Sequence, residues 1–248
     1  MTDYAVRITR LSYTYPDGTK ALEGIDLDVP VGDRVAIVGP SGAGKSTLLL
    51  HLNGVLAGSG SVRIMGSLLE TSILKQIRRQ VGLLFQDPND QLFCPTVFED
   101  IAFGPLNLSV PADEIPRRVE DALKDAGLSP SIRSRSSHHL SLGERRRVSL
   151  ATVLAMEPAI LGMDEPTSNL DPRNRHHLTE VIRGLKATLI IATHDLEFVL
   201  DVCSRTVLMD QGRIGADGET RSILGDARLM ELHGLEVPLS LKLGRNIP

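Results

Sequence analysis

The amino-acid sequence predicts an α/β protein with antiparallel N-terminal strands, a buried parallel sheet and an inserted helical segment. Two apolar runs, 34–38 and 187–193, are short and rich in β-branched residues, which is typical of strands buried on both faces. A glycine-rich turn and a helix-forming segment directly follow the first run. Between about residues 86 and 158 the apolar residues adopt helical spacing, which predicts the insertion.

The first 30 residues predict a pair of antiparallel strands. Apolar and polar residues alternate over 4–29, and the turn-forming residues 16–18 (Pro-Asp-Gly) divide this stretch. Tyr13 and Tyr15 precede the turn in a chain that is only 3% aromatic. An aromatic side chain here either stacks on a purine base or packs on the core, and the spacing does not choose between them.

The glycine-rich turn fits the pattern G-x-x-x-x-G-K-[ST], which is typical of phosphate-binding loops. Its residues are Gly39, Pro40, Ser41, Gly42, Ala43, Gly44, Lys45, Ser46 and Thr47. Glycines let backbone N–H groups approach an anion closely, and the following helix adds partial positive charge at its N-terminus. Lys45 is expected to reach the terminal phosphates of a nucleotide and Ser46 to hold Mg²⁺. The loop alone does not distinguish a kinase, a GTPase and an ATPase.

The inserted segment is predicted to contain helices over 97–103 and 112–126, and a third from Ser141 to about residue 156. Ser141 and Glu144 fit a capping box at the start of the third helix.

The polar stretch 129–139 predicts an exposed loop. We interpret His138 and His139 as solvated, because no third ligand follows at a regular spacing. The arginines at 145–147 are also interpreted as solvated, with the binding of an acidic partner surface as the alternative.

Acidic and histidine side chains follow two of the predicted buried strands. The apolar run 159–163 ends in Asp164 and Glu165, and the run 187–193 ends in His194. Ligands of α/β proteins gather at the carboxyl ends of such strands. Two carboxylates are costly to bury without a cation, so Asp164 is expected to hold Mg²⁺ and Glu165 to polarise a water molecule. His194 is placed to meet a terminal phosphate.

The C-terminal third predicts short elements. Asp171 and Pro172 are typical of the first positions of a helix, which we expect to run to Leu185. A hairpin that turns at residues 211–212 and a helix over 220–224 follow, and then a short tail.

Composition limits the class of protein. The chain has 248 residues, 42% of them hydrophobic, and no apolar run approaches the 18 or more residues of a membrane span. A formal net charge of −4 argues against strong binding to nucleic acid or to an anionic membrane. The two cysteines lie far apart in sequence and predict thiols in a reducing compartment, which favours a cytoplasmic protein.

Taken in chain order, these motifs resemble those of the ATP-binding-cassette (ABC) ATPases over nearly the whole chain. Residues 39–47 match the family's phosphate loop, 140–144 (Leu-Ser-Leu-Gly-Glu) its signature motif and 168–171 its D-loop. The family's adenine-stacking aromatic, Q-loop glutamine, magnesium-binding aspartate, catalytic base and switch histidine correspond to Tyr15, Gln86, Asp164, Glu165 and His194.

The resemblance implies an ATPase that uses ATP and Mg²⁺. It implies the catalytic residues Glu165, His194, Lys45 and Gln86, the magnesium ligands Ser46, Gln86 and Asp164, and ATP contacts from Tyr15, residues 39–47, Ser141, Gly143 and Glu144. In the family, two such domains sandwich two ATP molecules, and each phosphate loop faces the signature motif of the other domain. Two positions depart from the usual signature, because Leu142 replaces a glycine and Glu144 replaces a glutamine.

The resemblance also implies one ABC domain over 1–248. Its nucleotide-binding core comprises 1–85 and 159–225, its helical signature subdomain 86–158 and its short C-terminal tail 226–248.

Three local stretches, 13–18, 85–93 and 233–240, resemble the energy-coupling-factor importers, especially their cobalt/nickel branch. This resemblance implies a second ATPase subunit, either the same chain or a paralogue. It also implies a peripheral position on the cytoplasmic face of the cell membrane, docked on a membrane-embedded scaffold that serves a substrate-binding subunit. The ATPase of a vitamin or biotin importer is the main alternative, and a soluble ABC protein of DNA repair or translation is a remote one.

Overall fold

The computed structural model describes residues 4–244, which form two sheets with helices packed around them. The first sheet contains β1 (Tyr4–Thr14), β2 (Lys20–Pro30), β4 (Ser59–Ile64) and β5 (Ser67–Leu68). The second contains β3 (Arg34–Val38), β6 (Val81–Leu84), β7 (Ile160–Asp164), β8 (Thr188–Ala192), β9 (Arg205–Asp210) and β10 (Arg213–Glu219). The α-helices are α1 (Lys45–Leu52), α2 (Leu74–Gln80), α3 (Val97–Asn107), α4 (Ile115–Asp125), α5 (Leu142–Leu154), α6 (Pro172–Gly184), α7 (Leu196–Val202), α8 (Thr220–Gly225), α9 (Ala227–Leu232) and α10 (Leu239–Lys242).

The first sheet is antiparallel and has the strand order β2–β1–β4–β5. Val6, Ile8 and Leu11 of β1 are buried in the core. The alternation holds from Val6 to Ile8, and an irregularity in the register with β2 between Ile8 and Leu11 then shifts it by one residue. The predicted pair of N-terminal strands is confirmed.

The second sheet has the order β10–β9–β3–β8–β7–β6, and all its pairs are parallel except β9 with β10. The β9–β10 hairpin turns at Gln211 and Gly212, which have φ angles of +48° and +74° and so suit a tight hairpin. Because β3, β7 and β8 run in the same direction, the residues that follow them lie at one edge of the sheet. That edge carries the site described below.

The three helices α3, α4 and α5 pack around an apolar core of their own. Val97 and Ile101 of α3, Val119 and Leu123 of α4, and Val148 of α5 are all fully buried in it. All three predicted helices are present, with ends that differ by up to four residues. The limits 86 and 158 of the signature subdomain stay a prediction.

The sequence did not reveal α2 and α7, which have seven residues each and span only about two turns, too few for a clear helical period. The predicted loop 129–139 contains two 3₁₀ turns, Pro130–Ser134 and Ser137–His139, and buries Ile132 and Ser137.

The segment after Gly225 contains α9 and α10, and Met230 of α9 is buried in the apolar core beside the parallel sheet. Within residues 4–244, none of the helices combines the length and apolar character needed to cross a bilayer.

Candidate nucleotide-binding site

A cleft of about 590 Å³ opens at the carboxyl edge of the parallel sheet. Its lining comes from Tyr15, Thr19, Lys20, Ala21, Ser41, Gly42, Ala43, Gly44, Lys45, Ser46, Thr47, Gln86, Glu165 and His194. The structure therefore brings together the loop after β3, the loop after β6 and the ends of β7 and β8. Gly39 and Pro40 begin the first of these loops, beside the cleft wall.

The glycine-rich loop after β3, residues 39–47, wraps around the ammonium group of Lys45. Its Nζ donates to the carbonyl oxygens of Gly39 at 2.7 Å and Pro40 at 2.8 Å, and only 8% of the residue is exposed. Burial lowers the pKa of Lys45, while the negative charges of Glu165 and Asp164 act in the opposite direction. The loop thus holds the ammonium group of Lys45 at the cleft through backbone carbonyl oxygens.

Gly44 occupies a position that only glycine fits, at the end of the loop where α1 begins. Its φ angle is +99°, and a Cβ atom there would clash with the carbonyl oxygen of Ala21. The second glycine of the motif therefore lets the loop pass close to β2 and enter the helix.

Asp164 carries the group that best fits a metal ion. Its Oδ1 atom is buried and has no hydrogen-bond partner within residues 4–244, although an unsatisfied buried oxygen is costly. Burial raises the pKa of Asp164, the hydroxyl group of Ser46 lowers it, and the charge of Glu165 raises it further. Carboxylate and hydroxyl oxygens suit Mg²⁺, so Asp164 and Ser46 fit this ion. Ser46 and Gln86 line the cleft, whereas Asp164 is the last residue of β7, next to Glu165 of the lining.

Glu165 is buried and held by three donors. Its Oε2 accepts from the Thr193 hydroxyl group at 3.0 Å, and its Oε1 lies 3.1 Å from the His194 backbone N and 2.8 Å from His194 Nδ1. An ionised carboxylate only accepts, so Nδ1 carries the proton and Nε2 of the largely exposed His194 is free to face a ligand. The backbone of Glu165 has a φ angle of +45°, an uncommon conformation for this residue type.

Tyr15 lies at the other end of the cleft, immediately after β1. Its side chain is half-buried, and its hydroxyl group is 3.0 Å from Oγ1 of Thr47 in α1. The ring therefore stands beside residues 39–47 in the cleft, which favours base stacking, and this role stays a prediction.

The signature residues do not line this cleft. Ser141 Oγ accepts from the Glu144 backbone N at 3.3 Å and Glu144 Oε2 accepts from the Ser141 backbone N at 2.9 Å, which confirms the predicted capping box. The bond from the Ser141 backbone lowers the pKa of Glu144. Gly143 packs so closely on Asn174 that a Cβ atom would clash with its side chain. A single chain thus separates Ser141, Gly143 and Glu144 from the phosphate loop.

The expectation that the arginines 145–147 are solvated is wrong for two of them. Arg146 is 1% exposed and Arg147 is 9% exposed. Arg146 donates to the carbonyl oxygens of Phe85 and Gln86 and to the backbone and hydroxyl oxygens of Ser168. It therefore ties the signature helix α5 to the loop after β6 and to the loop after β7.

A second missed feature is the ion pair that anchors the residue after His194. Arg175 of α6 contacts both carboxylate oxygens of Asp195, at 2.7 and 2.8 Å, and Thr167 donates to the same group at 2.9 Å. Burial alone would raise the pKa of Asp195, but these hydrogen bonds lower it. The loop that carries His194 is thereby fixed to α6.

Comparison with known proteins identifies the family. The profile of the ABC transporter family matches residues 22–168. The energy-coupling factor transporter ATP-binding protein EcfA of Carboxydothermus hydrogenoformans is 46% identical over 243 residues, which cover 96% of this chain and 89% of that protein.

Two solved structures extend the comparison. CbiO1 of Clostridium perfringens, part of the ABC transporter complex CbiONQ, is 35% identical with a TM-score of 0.82 over 98% of this chain and 99% of its own. An ATP-binding cassette solved as a dimer with ADP and Pi is 27% identical with a TM-score of 0.78, over 87% of this chain and 99% of its own.

The chain belongs to the ABC transporter ATP-binding family and is an ABC ATPase. The fold class and the resemblance stated from the sequence are confirmed. The roles carried over to individual residues stay predictions.

Proposed function

We propose that this ATPase is the ATP-hydrolysing subunit of an energy-coupling-factor importer, and that two such subunits close around two ATP molecules. The observation that carries the proposal is the separation of the two half-sites. The cleft holds Tyr15, the phosphate loop, Glu165 and His194, while Ser141 and Gly143 lie outside it. The N-terminus of α5, with its partial positive charge, completes the site of a second subunit.

The residues predicted from the sequence to form the ATP site then have defined roles. Backbone N–H groups of the loop and Lys45 bind the phosphates, and Tyr15 stacks on the base. Ser46, Gln86 and Asp164 hold Mg²⁺, which supplies charge neutralisation at the phosphates when bound. Glu165 orients the attacking water, and Nε2 of His194 contacts the terminal phosphate. The solved dimer with ADP and Pi, at 27% identity, supports a two-subunit arrangement.

A groove of about 610 Å³ between β6 and α3 is the proposed docking site for the membrane-embedded scaffold. Phe93 and Phe103 line it with 60% and 47% of their surface exposed, and their rings contact edge to face at 5.0 Å. Two exposed aromatic side chains in contact form a contiguous apolar patch, and such patches mark interaction surfaces. Phe85 lines the groove and directly precedes Gln86, which lines the cleft. Movement of a docked partner against Phe85 is therefore expected to displace Gln86 in the ATP site.

Charge in this groove is expected to block docking. Phe103→Glu places a carboxylate against an apolar partner surface, which costs several kcal/mol when buried. We expect the variant to lose copurification with the membrane subunits, measured by pull-down from detergent extracts. Val31→Glu is the matched control, because Val31 is 52% exposed and lies outside the groove. Retention of the membrane subunits by Phe103→Glu would refute this docking site.

For the cargo we propose cobalt or nickel. The local resemblances at 13–18, 85–93 and 233–240 and the similarity to CbiO1 over nearly the full length support this choice. The alternative is a vitamin or biotin importer, because the name of the EcfA relative specifies no cargo.

Uptake measurements distinguish these cargoes. Deletion of the gene is expected to abolish energised uptake of ⁶³Ni or ⁵⁷Co, and re-expression of the unmodified chain is expected to restore it. Unchanged metal uptake in the deletion strain, together with reduced uptake of labelled biotin, would reject the metal and favour the vitamin importer.

A further inference from the structure

Tyr13 and His51 lie next to the cleft but do not line it. The ring of Tyr13 contacts that of Tyr15 edge to face, with centroids 5.0 Å apart and planes at 82°. On its other side it meets the imidazole of His51 at 4.9 Å and 73°. Both geometries are favourable for aromatic pairs.

Two hydrogen bonds close these contacts into a ring of four residues. His51 Nδ1 lies 2.8 Å from the carbonyl oxygen of Thr47, and the hydroxyl group of Thr47 lies 3.0 Å from that of Tyr15. A carbonyl oxygen only accepts, so His51 donates from Nδ1. Tyr13 lies in β1 and Tyr15 directly follows the strand, whereas Thr47 and His51 belong to α1. This four-residue ring therefore joins β1 to the helix that continues the phosphate loop.

A histidine at position 51 is energetically unfavourable compared with an apolar residue. It is 2% exposed, and its Nε2 atom is buried with no hydrogen-bond partner among the described residues. Burial lowers the pKa of His51, which favours the neutral form with its proton on Nδ1. Leucine would fill the site without an unsatisfied nitrogen, but it would make neither the bond to Thr47 nor the aromatic contact to Tyr13.

We propose that Tyr13 and His51 are positioning residues that fix Tyr15 at a set distance from the phosphate loop, so that the platform for the base is ordered before ATP binds. The inference rests on the proposed function, in which Tyr15 stacks on the base. A tyrosine just before an exposed turn otherwise samples several rotamers, and ordering it on binding costs affinity. Because the four-residue ring already orders Tyr15, binding of the base no longer carries this entropy cost. The contacts to the phosphates are unchanged.

A comparison of ATP with inorganic tripolyphosphate tests this selectively, because tripolyphosphate has the phosphates and lacks the base. Both would be titrated with Mg²⁺ into the purified full chain by calorimetry. Tyr13→Leu and His51→Leu are each expected to raise the Kd for ATP about threefold to tenfold. The Kd for tripolyphosphate is expected to stay unchanged. An equal loss for both ligands would overturn the proposal, since it would indicate general loosening of the loop.

Two controls separate positioning from stability. Tyr13→Phe keeps the aromatic ring that makes both contacts, so it is expected to bind ATP like the unmodified chain. Leu50→Ala removes a partly buried side chain of α1 outside the four-residue ring. It is expected to lower the melting temperature without a loss selective for ATP. A selective loss of ATP binding in Leu50→Ala would count against the ring.

Tyr15→Ala distinguishes failure of this inference from failure of the proposed role of Tyr15. If Tyr15→Ala binds ATP as tightly as the unmodified chain, Tyr15 is not the base platform and both ideas fail. If Tyr15→Ala weakens ATP selectively while Tyr13→Leu and His51→Leu bind it normally, Tyr15 keeps its role and the positioning by Tyr13 and His51 is rejected.

Discussion

Replacement of Glu165 by glutamine is expected to reduce ATP turnover by about 100- to 10,000-fold, the usual contribution of a general base. The amide has the same shape as the carboxylate, but it neither polarises a water molecule strongly nor accepts from both Thr193 and His194 as well as an ionised group does. Binding through the phosphate loop is untouched, so Glu165→Gln should accumulate as an ATP-bound dimer. Phosphate release and size-exclusion chromatography with ATP measure the two effects.

A matched carboxylate shows whether the effect belongs to the cleft. Glu236→Gln makes the same chemical change on a side chain that is 91% exposed and absent from the cleft lining. It is expected to hydrolyse ATP at the normal rate. Turnover by Glu165→Gln near the unmodified rate would eliminate Glu165 as the base.

The parts of the fold that could be predicted from sequence have local causes. The capping box at Ser141 involves residues three positions apart, and the hairpin at residues 211–212 depends on two adjacent residues. The burial of Arg146 has no such local signal, because its acceptors lie 60 and 22 residues away in the loops that contain Gln86 and Ser168. From sequence alone, three consecutive arginines after an exposed helix cap are typical of a solvated surface. Arg146 becomes buried only because these two loops pack against α5 in the fold.

The candidate site divides in the same way. The motif at 39–47 and the residues at the ends of β7 and β8 could be placed together, because parallel strands deliver their carboxyl ends to one edge. Motif order alone could not show that Ser141 lies outside the cleft, but the resemblance to the ABC ATPases already implied that the signature motif of a second subunit completes each site. The structure shows Ser141 outside the cleft lining, which supports that two-subunit proposal.

Replacement of Lys45 by alanine should remove ATP binding instead of slowing hydrolysis. Lys45 Nζ now bonds to the carbonyl oxygens of Gly39 and Pro40, and phosphate oxygens are stronger acceptors for the same ammonium group. Charge-assisted bonds contribute about 1.5–3 kcal/mol each, so the loss of one or two raises the Kd for ATP about tenfold to a thousandfold or more.

Titration with fluorescent ATP measures this change directly, and Lys20→Ala is the matched control. Lys20 lines the same cleft but is exposed, so solvent screens its charge and its loss should alter the Kd little. If both lysine variants bound ATP equally weakly, the total positive charge of the cleft would hold the phosphates. A selective loss in Lys45→Ala instead assigns phosphate binding to the ammonium group of Lys45. This group is buried within the loop, beside the backbone N–H groups that are proposed to bind the same phosphates.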